Sequence, residues 1–260
     1  MSKEPFFSIV IPTLNEKKNL PNLLRDIEKQ SFEDFDVYVV DGMSGDGTVS
    51  EAKKFSKHLP NLTILSSKVR NAGHQRNTGA SKARGTYIVF FDADVRIPRN
   101  FLEELNKHIQ KKESAIVAVW IEPDTKKSLD DLMATTYNLS VLLGKDLTPA
   151  AVASNLIIRR DCFNEAGGFD KSLVFAEDRD LLKRLHKLGY KMSVMEKPKV
   201  VWSFRRFRKG GYAKTMAKIL ALNIGATTAG IKFVQKVKYE MGGNAHEKVK
   251  DVSLKANRPV

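Results

Sequence analysis

The sequence predicts an α/β fold built on a mostly parallel central sheet flanked by helices. Three observations carry that prediction. Short apolar, β-rich runs stop abruptly in polar loops, and stretches with apolar residues at helical spacing lie between them. One run, Tyr87-Ile88-Val89-Phe90-Phe91, is apolar on both faces, as a central strand covered from two sides must be. Right-handed crossovers then place the loops that follow the strands at one edge of the sheet, where such sheets bind ligands.

Taken in order, Phe6-Phe7-Ser8-Ile9-Val10-Ile11-Pro12 reads as a buried strand closed by proline, feeding a loop. Leu20, Leu23, Leu24 and Ile27 give the next helix its apolar stripe, with Asn19 as cap and Pro21 in the first turn. Val37-Tyr38-Val39-Val40 is a second strand, and Asp41 to Thr48 a turn-rich loop before a helix starting near Val49. Residues 62–65 read as a third strand and 75–83 as a helix, and the central strand stops at Asp92. Further on, 100–109 reads as a helix, 115–121 as a strand, 129–143 as a helix of mixed face and 153–158 as a strand. Leu173-Val174-Phe175 is strand-like and precedes a helix over 181–188. There is no fixed-period repeat and no low-complexity linker, so residues 1–202 are expected to be one domain and 203–260 a basic, mainly helical extension.

The loops beginning at Pro12, Asp41 and Asp92 should therefore meet at one cleft. Asp92-Ala93-Asp94 ends a strand with two carboxylates that project to the same side and repel unless a cation joins them. Hard oxygen ligands of this kind suit Mg²⁺ or Mn²⁺ completed by substrate phosphates, although two solvated loop acids would look the same. Glu177 and Asp178 gain from a helix N-terminus, which plain capping by acids also explains.

Together, Ile11-Pro12-Thr13-Leu14-Asn15-Glu16, Val40-Asp41-Gly42-Met43-Ser44, Arg76-Asn77-Thr78-Gly79, Phe91-Asp92-Ala93-Asp94 and Gly167-Gly168-Phe169-Asp170 through Glu177-Asp178 resemble the family 2 glycosyltransferases, in the expected order. The resemblance spans residues 6–202. It implies a GT-A fold, a nucleoside-diphosphate sugar donor, UDP more often than GDP, a divalent metal (Mn²⁺ or Mg²⁺) and inversion at the anomeric carbon, hence a hexosyltransferase-type enzyme. Carried over by position, Pro12, Thr13, Glu16 and Asp41 hold the base and ribose, Asp92 lies near ribose and metal, and Asp94 ligates the metal. Arg76, at the start of its helix, contacts phosphate or base, or is simply a surface arginine. Asp178 is the general base, with Glu177 and Asp180 on the acceptor side, Asp180 having a structural alternative. The family usually has Asp where Gly42 stands and Gly where Met43 stands, which shifts weight onto Asp41.

The net charge of +14 would suit an anionic partner, but its distribution argues against nucleic acid. Residues 203–260 hold 13 Lys or Arg against 3 Asp or Glu, a balance of +10 that leaves only +4 for residues 1–202. Arg205-Arg206-Phe207-Arg208-Lys209 interleaves cations with an aromatic, and Arg205 or Arg206 is expected to cover the donor diphosphate, as in small non-processive relatives; Gln-x-x-Arg-Trp of processive members is absent. Residues 216–237 read as a helix whose uncharged core, 219–231, is too short for a bilayer, which takes about 20 apolar residues. That helix either packs on the body or lies on an anionic membrane surface, and its small residues Gly225, Ala226, Ala229 and Gly230 permit close contact in a core or a homodimer. The expected acceptor is a carbohydrate or lipid-linked hydroxyl or a lipid phosphate, and the lone Cys162 and the lack of an apolar stretch near Met1 point to a cytoplasmic location, either free or peripheral on the cytoplasmic membrane face. A sugar-1-phosphate nucleotidyltransferase would need a Gly-rich basic loop after the first strand, which Pro12 to Glu16 is not. A non-catalytic membrane or nucleic-acid binder using the basic tail is the remaining alternative. His58, His74, His108, His186 and His246 lack zinc spacing, the lone Cys162 has no partner, and there is no hydrolase elbow or phosphate-binding P-loop.

Overall fold

Alternation along the strands sets the sheet between two cores. In β1 (Phe7–Thr13), Phe7, Ile9 and Ile11 face one core and Val10 the other; in β4 (Tyr87–Phe90), Tyr87 and Val89 face the first and Ile88 and Phe90 the second. The computed structural model describes residues 4–147, 149, 151–173 and 175–217. Its remaining strands are β2 (Phe35–Asp41), β3 (Leu62–Ser66), β5 (Ile116–Pro123), β6 (Leu156–Arg159) and β7 (Met192–Trp202), and the sheet runs β3-β2-β1-β4-β6-β5-β7.

The first core is closed by α1 (Leu20–Glu28), α2 (Thr48–Lys53) and α4 (Phe101–Lys112). The stripe read from the sequence is what α1 buries: Leu20, Leu23, Leu24 and Ile27 are all fully covered, each contributing about 1.5–3 kcal/mol. The second core is closed by α3 (Ala72–Ala80), α5 (Ser128–Gly144), α6 (Arg160–Glu165) and α7 (Glu177–Lys187). A short α8 (Arg205–Gly210) lays Phe207 beside Phe204, Ile121 and Ala134 in a third small cluster.

Several expectations change. Pairings β1–β2, β1–β4, β2–β3 and β5–β7 are parallel, but β6 runs antiparallel between β4 and β5, because an apolar run specifies burial and not direction. Residues 153–155 form a 3₁₀ turn, so that strand begins at Leu156. Asn19 does not cap α1; its amide instead donates to Glu16 Oε2 at 2.6 Å. Leu173 and Phe175 lie in irregular chain, and α7 begins at Glu177 rather than 181, which puts both acids inside its first turn. Residues 218–237 of the expected basic helix lie outside the described residues.

Candidate active site

The carboxyl ends of β1, β2 and β4 bring three loops together. Thr13 and Asp41 are register partners at the ends of β1 and β2, and Thr13 Oγ1 donates to Asp41 Oδ1 at 3.3 Å. Asp41 also accepts from Ser44 N at 2.9 Å, while Asn15 N donates to Ser44 Oγ and Gly45 N to Asn15 Oδ1. The first two loops are thus laced into one wall.

Glu16 is buried in that wall. Its backbone N–H donates to Thr48 Oγ1 at 2.8 Å, and its carboxylate accepts from Asn19 and from Arg205 Nη2 at 3.0 Å. Burial first, then the charge of Asp94, pushes the Glu16 carboxyl up to about 7, against the pull of Arg205. The same Arg205 nitrogen lies 2.9 Å from Asp94 Oδ2. Asp94 is also raised, by burial before Asp92, with Arg205 and Arg206 opposing.

The departure at residue 42 has a steric explanation. A Cβ on Gly42 would come 3.0 Å from Gln75 Nε2, which donates to the carbonyls of Thr13 and Val40 at 2.8 Å each. Gln75 therefore occupies the space a larger residue at 42 would need, and it ties α3 to the ends of β1 and β2. Met43 adopts φ 62°, the left-handed region that glycine enters most readily, so the backbone keeps the bend without the residue that favours it.

Arg76 lies mid-helix and is 4% exposed, neither a helix-starting nor a surface residue. The helix starts a turn earlier than its apolar spacing suggests because Asn71 caps it, accepting from His74 N. Arg76 Nη2 meets Asp92 Oδ1 at 2.7 Å and Nη1 meets Glu177 Oε1 at 2.8 Å, with the guanidinium over the Phe169 ring. One buried cation thereby joins the Asp92 loop to the first turn of α7. Asn77, absent from the sequence reading as a site residue, fixes the same region by donating to Phe169 O at 2.7 Å and accepting from Phe169 N at 2.9 Å. Its position beside Arg76 in the motif was the available signal.

Asp178 accepts from Arg179 N at 2.7 Å and Ala153 N at 3.2 Å. Burial, then the neighbouring Glu177 carboxylate, pushes it up to about 7 even though part of its surface faces the cleft. Asp180 is held by Arg184 at 2.7 Å. Asp178 lines a cleft of about 490 Å³ with Thr13, Glu16, Asp94, Arg205 and Arg206. Tyr137 and Ser140, not singled out in the sequence, line it from α5. Arg208 anchors the segment carrying Arg205 by pairing with Asp124 at 2.7 Å and with fully buried Asp130 at 3.0 Å, and Tyr212 donates to Asp130 as well.

The sequence pattern of Glycosyl transferase family 2 matches residues 8–167, more than half of the chain. The chain belongs to this glycosyltransferase family. Among relatives of this family 2 glycosyltransferase, Glycosyltransferase AglE of Haloferax volcanii is 28% identical over 73% of the chain and 64% of its own length. Amylovoran biosynthesis glycosyltransferase AmsB of Erwinia amylovora is 26% identical over 75% and 69%. The match thus covers about two thirds of the length of these two relatives. Its fold is similar to that of TarS of S. aureus in complex with UDP-GlcNAc (TM-score 0.63, 23% identity, 76% of this chain and 58% of that one). It is also similar to the mannosyltransferase PcManGT of Pyrobaculum calidifontis in complex with GDP-Man and Mn²⁺ (TM-score 0.65, 23% identity, 85% and 65%). These likenesses establish the GT-A fold. Among the described residues no three His, Cys, Asp or Glu side chains gather to hold a metal, and of the two acids expected to do so Asp92 meets Arg76 and Asp94 meets Arg205. Two hard carboxylates fit a divalent cation whose remaining positions are filled by phosphate and water. No helix among the described residues is long and apolar enough to cross a membrane.

Proposed function

We propose that the chain transfers a sugar, with inversion, from a nucleoside-diphosphate donor, UDP-linked in preference to GDP-linked, to a hydroxyl of a carbohydrate or lipid-linked acceptor. The observation that carries the reading is the raised carboxyl of Asp178 in the same cleft as Asp94, Glu16 and Arg205. Pro12, Thr13 and Glu16 line the cleft for base and ribose, with Asp41 buried behind Thr13 and accepting from it and from Ser44. Asp92 and Asp94 hold Mn²⁺ or Mg²⁺, which when bound would neutralise charge on the donor diphosphate. Arg205 and Arg206 meet the same diphosphate; Arg205, shared between Glu16 and Asp94, exchanges one of these carboxylates for phosphate oxygens.

Asp178 takes the proton from the acceptor hydroxyl as that oxygen bonds to the anomeric carbon. The bond from that carbon to the diphosphate oxygen breaks on the opposite face, and its electron pair leaves with the diphosphate, where Arg205 and Arg206 stabilise the charge. Arg76 does not reach for the donor in this scheme: with both ends engaged, it sets the Asp92 loop against α7 and so fixes the distance between donor and base. Glu177 orients Arg76 and raises Asp178 by its own charge.

Asp178→Asn tests the assignment. Transfer from a nucleotide sugar should fall by about 10³-fold or more, while Kd for the donor stays within about twofold. Full turnover in that variant would remove Asp178 from the mechanism.

A further inference from the structure

Large apolar side chains left exposed among the described residues concentrate on one helix. Leu129, Leu132, Leu139 and Leu143 of α5 are 45%, 61%, 47% and 79% exposed, and Leu147 just beyond it is 81% exposed. At about 100° per residue these helical positions share an arc of about 80° that runs about 21 Å along the axis. Thr135, Thr136 and Ser140, the exposed residues beside them, are uncharged. The opposite side of α5 is committed to the body: Ala134 and Val141 are buried in its cores, and Asn138 exchanges hydrogen bonds with the backbone of Ile121. The helix therefore has no freedom to turn its leucines inward. Lys126 and Lys127, both exposed, leave its N-terminal end net cationic beside Asp131, while Lys145 at the other end is met by Asp146 at 3.9 Å.

We propose that this leucine face of α5 lies on an anionic lipid surface, with the leucines at the acyl boundary and Lys126 and Lys127 among the phosphate headgroups. A partly apolar helix face with lysines at its edge is suited to the bilayer interface. A second copy of the chain fits less well, since it brings the same net charge of +14 and the same cationic end against this one, whereas anionic lipid answers both. Tyr137 and Ser140 of the same helix line the cleft, so a lipid surface on α5 lies beside its mouth. This surface lies on α5 and the residues flanking it and does not depend on the proposed transfer.

Flotation of the full chain with vesicles of phosphatidylcholine, alone or mixed with phosphatidylglycerol, tests it. The chain should bind the mixed vesicles more tightly. The combined variant Leu132→Ser, Leu139→Ser, Leu143→Ser should bind them about tenfold or more weakly with unchanged circular dichroism and nucleotide binding, although its basic tail is intact. Leu143→Ser alone, at the most exposed position of the helix, should give a smaller loss in the same direction. Lys126→Glu with Lys127→Glu should abolish the preference for anionic vesicles. Three results would overturn the proposal: no flotation of the unaltered chain, undiminished flotation of both leucine variants, or a dimer in sedimentation velocity that the leucine variants convert to monomer.

Discussion

Asp178 and Glu16 are both pushed up to about 7, each chiefly by burial, so the cleft changes charge near neutral pH. A base must be a carboxylate, so kcat/KM should rise as pH climbs through about 7 and level off above it. The limb should be steeper than one proton, because Glu16 titrates in the same range, and Glu16→Gln should return it to one-proton steepness. A flat profile from pH 5 to 8 would contradict the environment described for Asp178. The sign for stability is opposite: an acid with a raised folded pKa holds its proton more tightly folded than unfolded, so its contribution falls as pH rises from about 4 past 7. Met43 presents a second residue-scale case. Its backbone sits at φ 62° with the side chain 44% exposed, so Met43→Gly loses little packing and relieves left-handed strain of about 1 kcal/mol. Thermal unfolding should show a Tm raised by about 2–4 °C.

At the scale of elements, α3 is the part on which the site depends, since Gln75, Arg76 and Asn77 reach three different loops from it. Its approach to the sheet is set by Gly79, where a Cβ would stand 2.4 Å from Val10 Cγ1 and 3.1 Å from Val40 Cγ2. Gly79→Ala should therefore destabilise the fold by about 1–3 kcal/mol, read by denaturant unfolding, despite the better helix propensity of alanine. This element also marks where the sequence was readable. The strands and their polar exits were legible because apolar alternation and abrupt ends are local signals, and Asp92 and Asp94 stood out as acids just past such an end, whereas Leu173 and Phe175, expected as strand before Asp178, lie in irregular chain. The burial of Arg76 was not, because it depends on Asp92 and Glu177, and Glu177 lies 101 residues away. The antiparallel entry of β6 was hidden for the same reason: strand direction follows from the path of the chain between elements. The link from Arg205 to Glu16, 189 residues apart, belongs to the same class.

For the whole molecule, the charge division acquires a spatial meaning. Glu16, Asp92, Asp94, Glu177 and Asp178 line the cleft, and the segment carrying Arg205 and Arg206 turns back over it, pinned by Arg208 to Asp124 and Asp130. The pairs of Arg205 with Glu16 and Asp94 are then those a diphosphate and a divalent cation would separate. The most direct test is thermal unfolding of the protein with UDP, GDP and their sugars, each with and without Mn²⁺. The prediction is a raised Tm for a nucleoside diphosphate only when the cation is present, about 2.7 kcal/mol of stabilisation at a hundredfold excess over Kd, and no gain in Asp94→Asn. No shift with any nucleotide, or an equal shift without the cation and in Asp94→Asn, would contradict a metal-dependent donor site in this cleft.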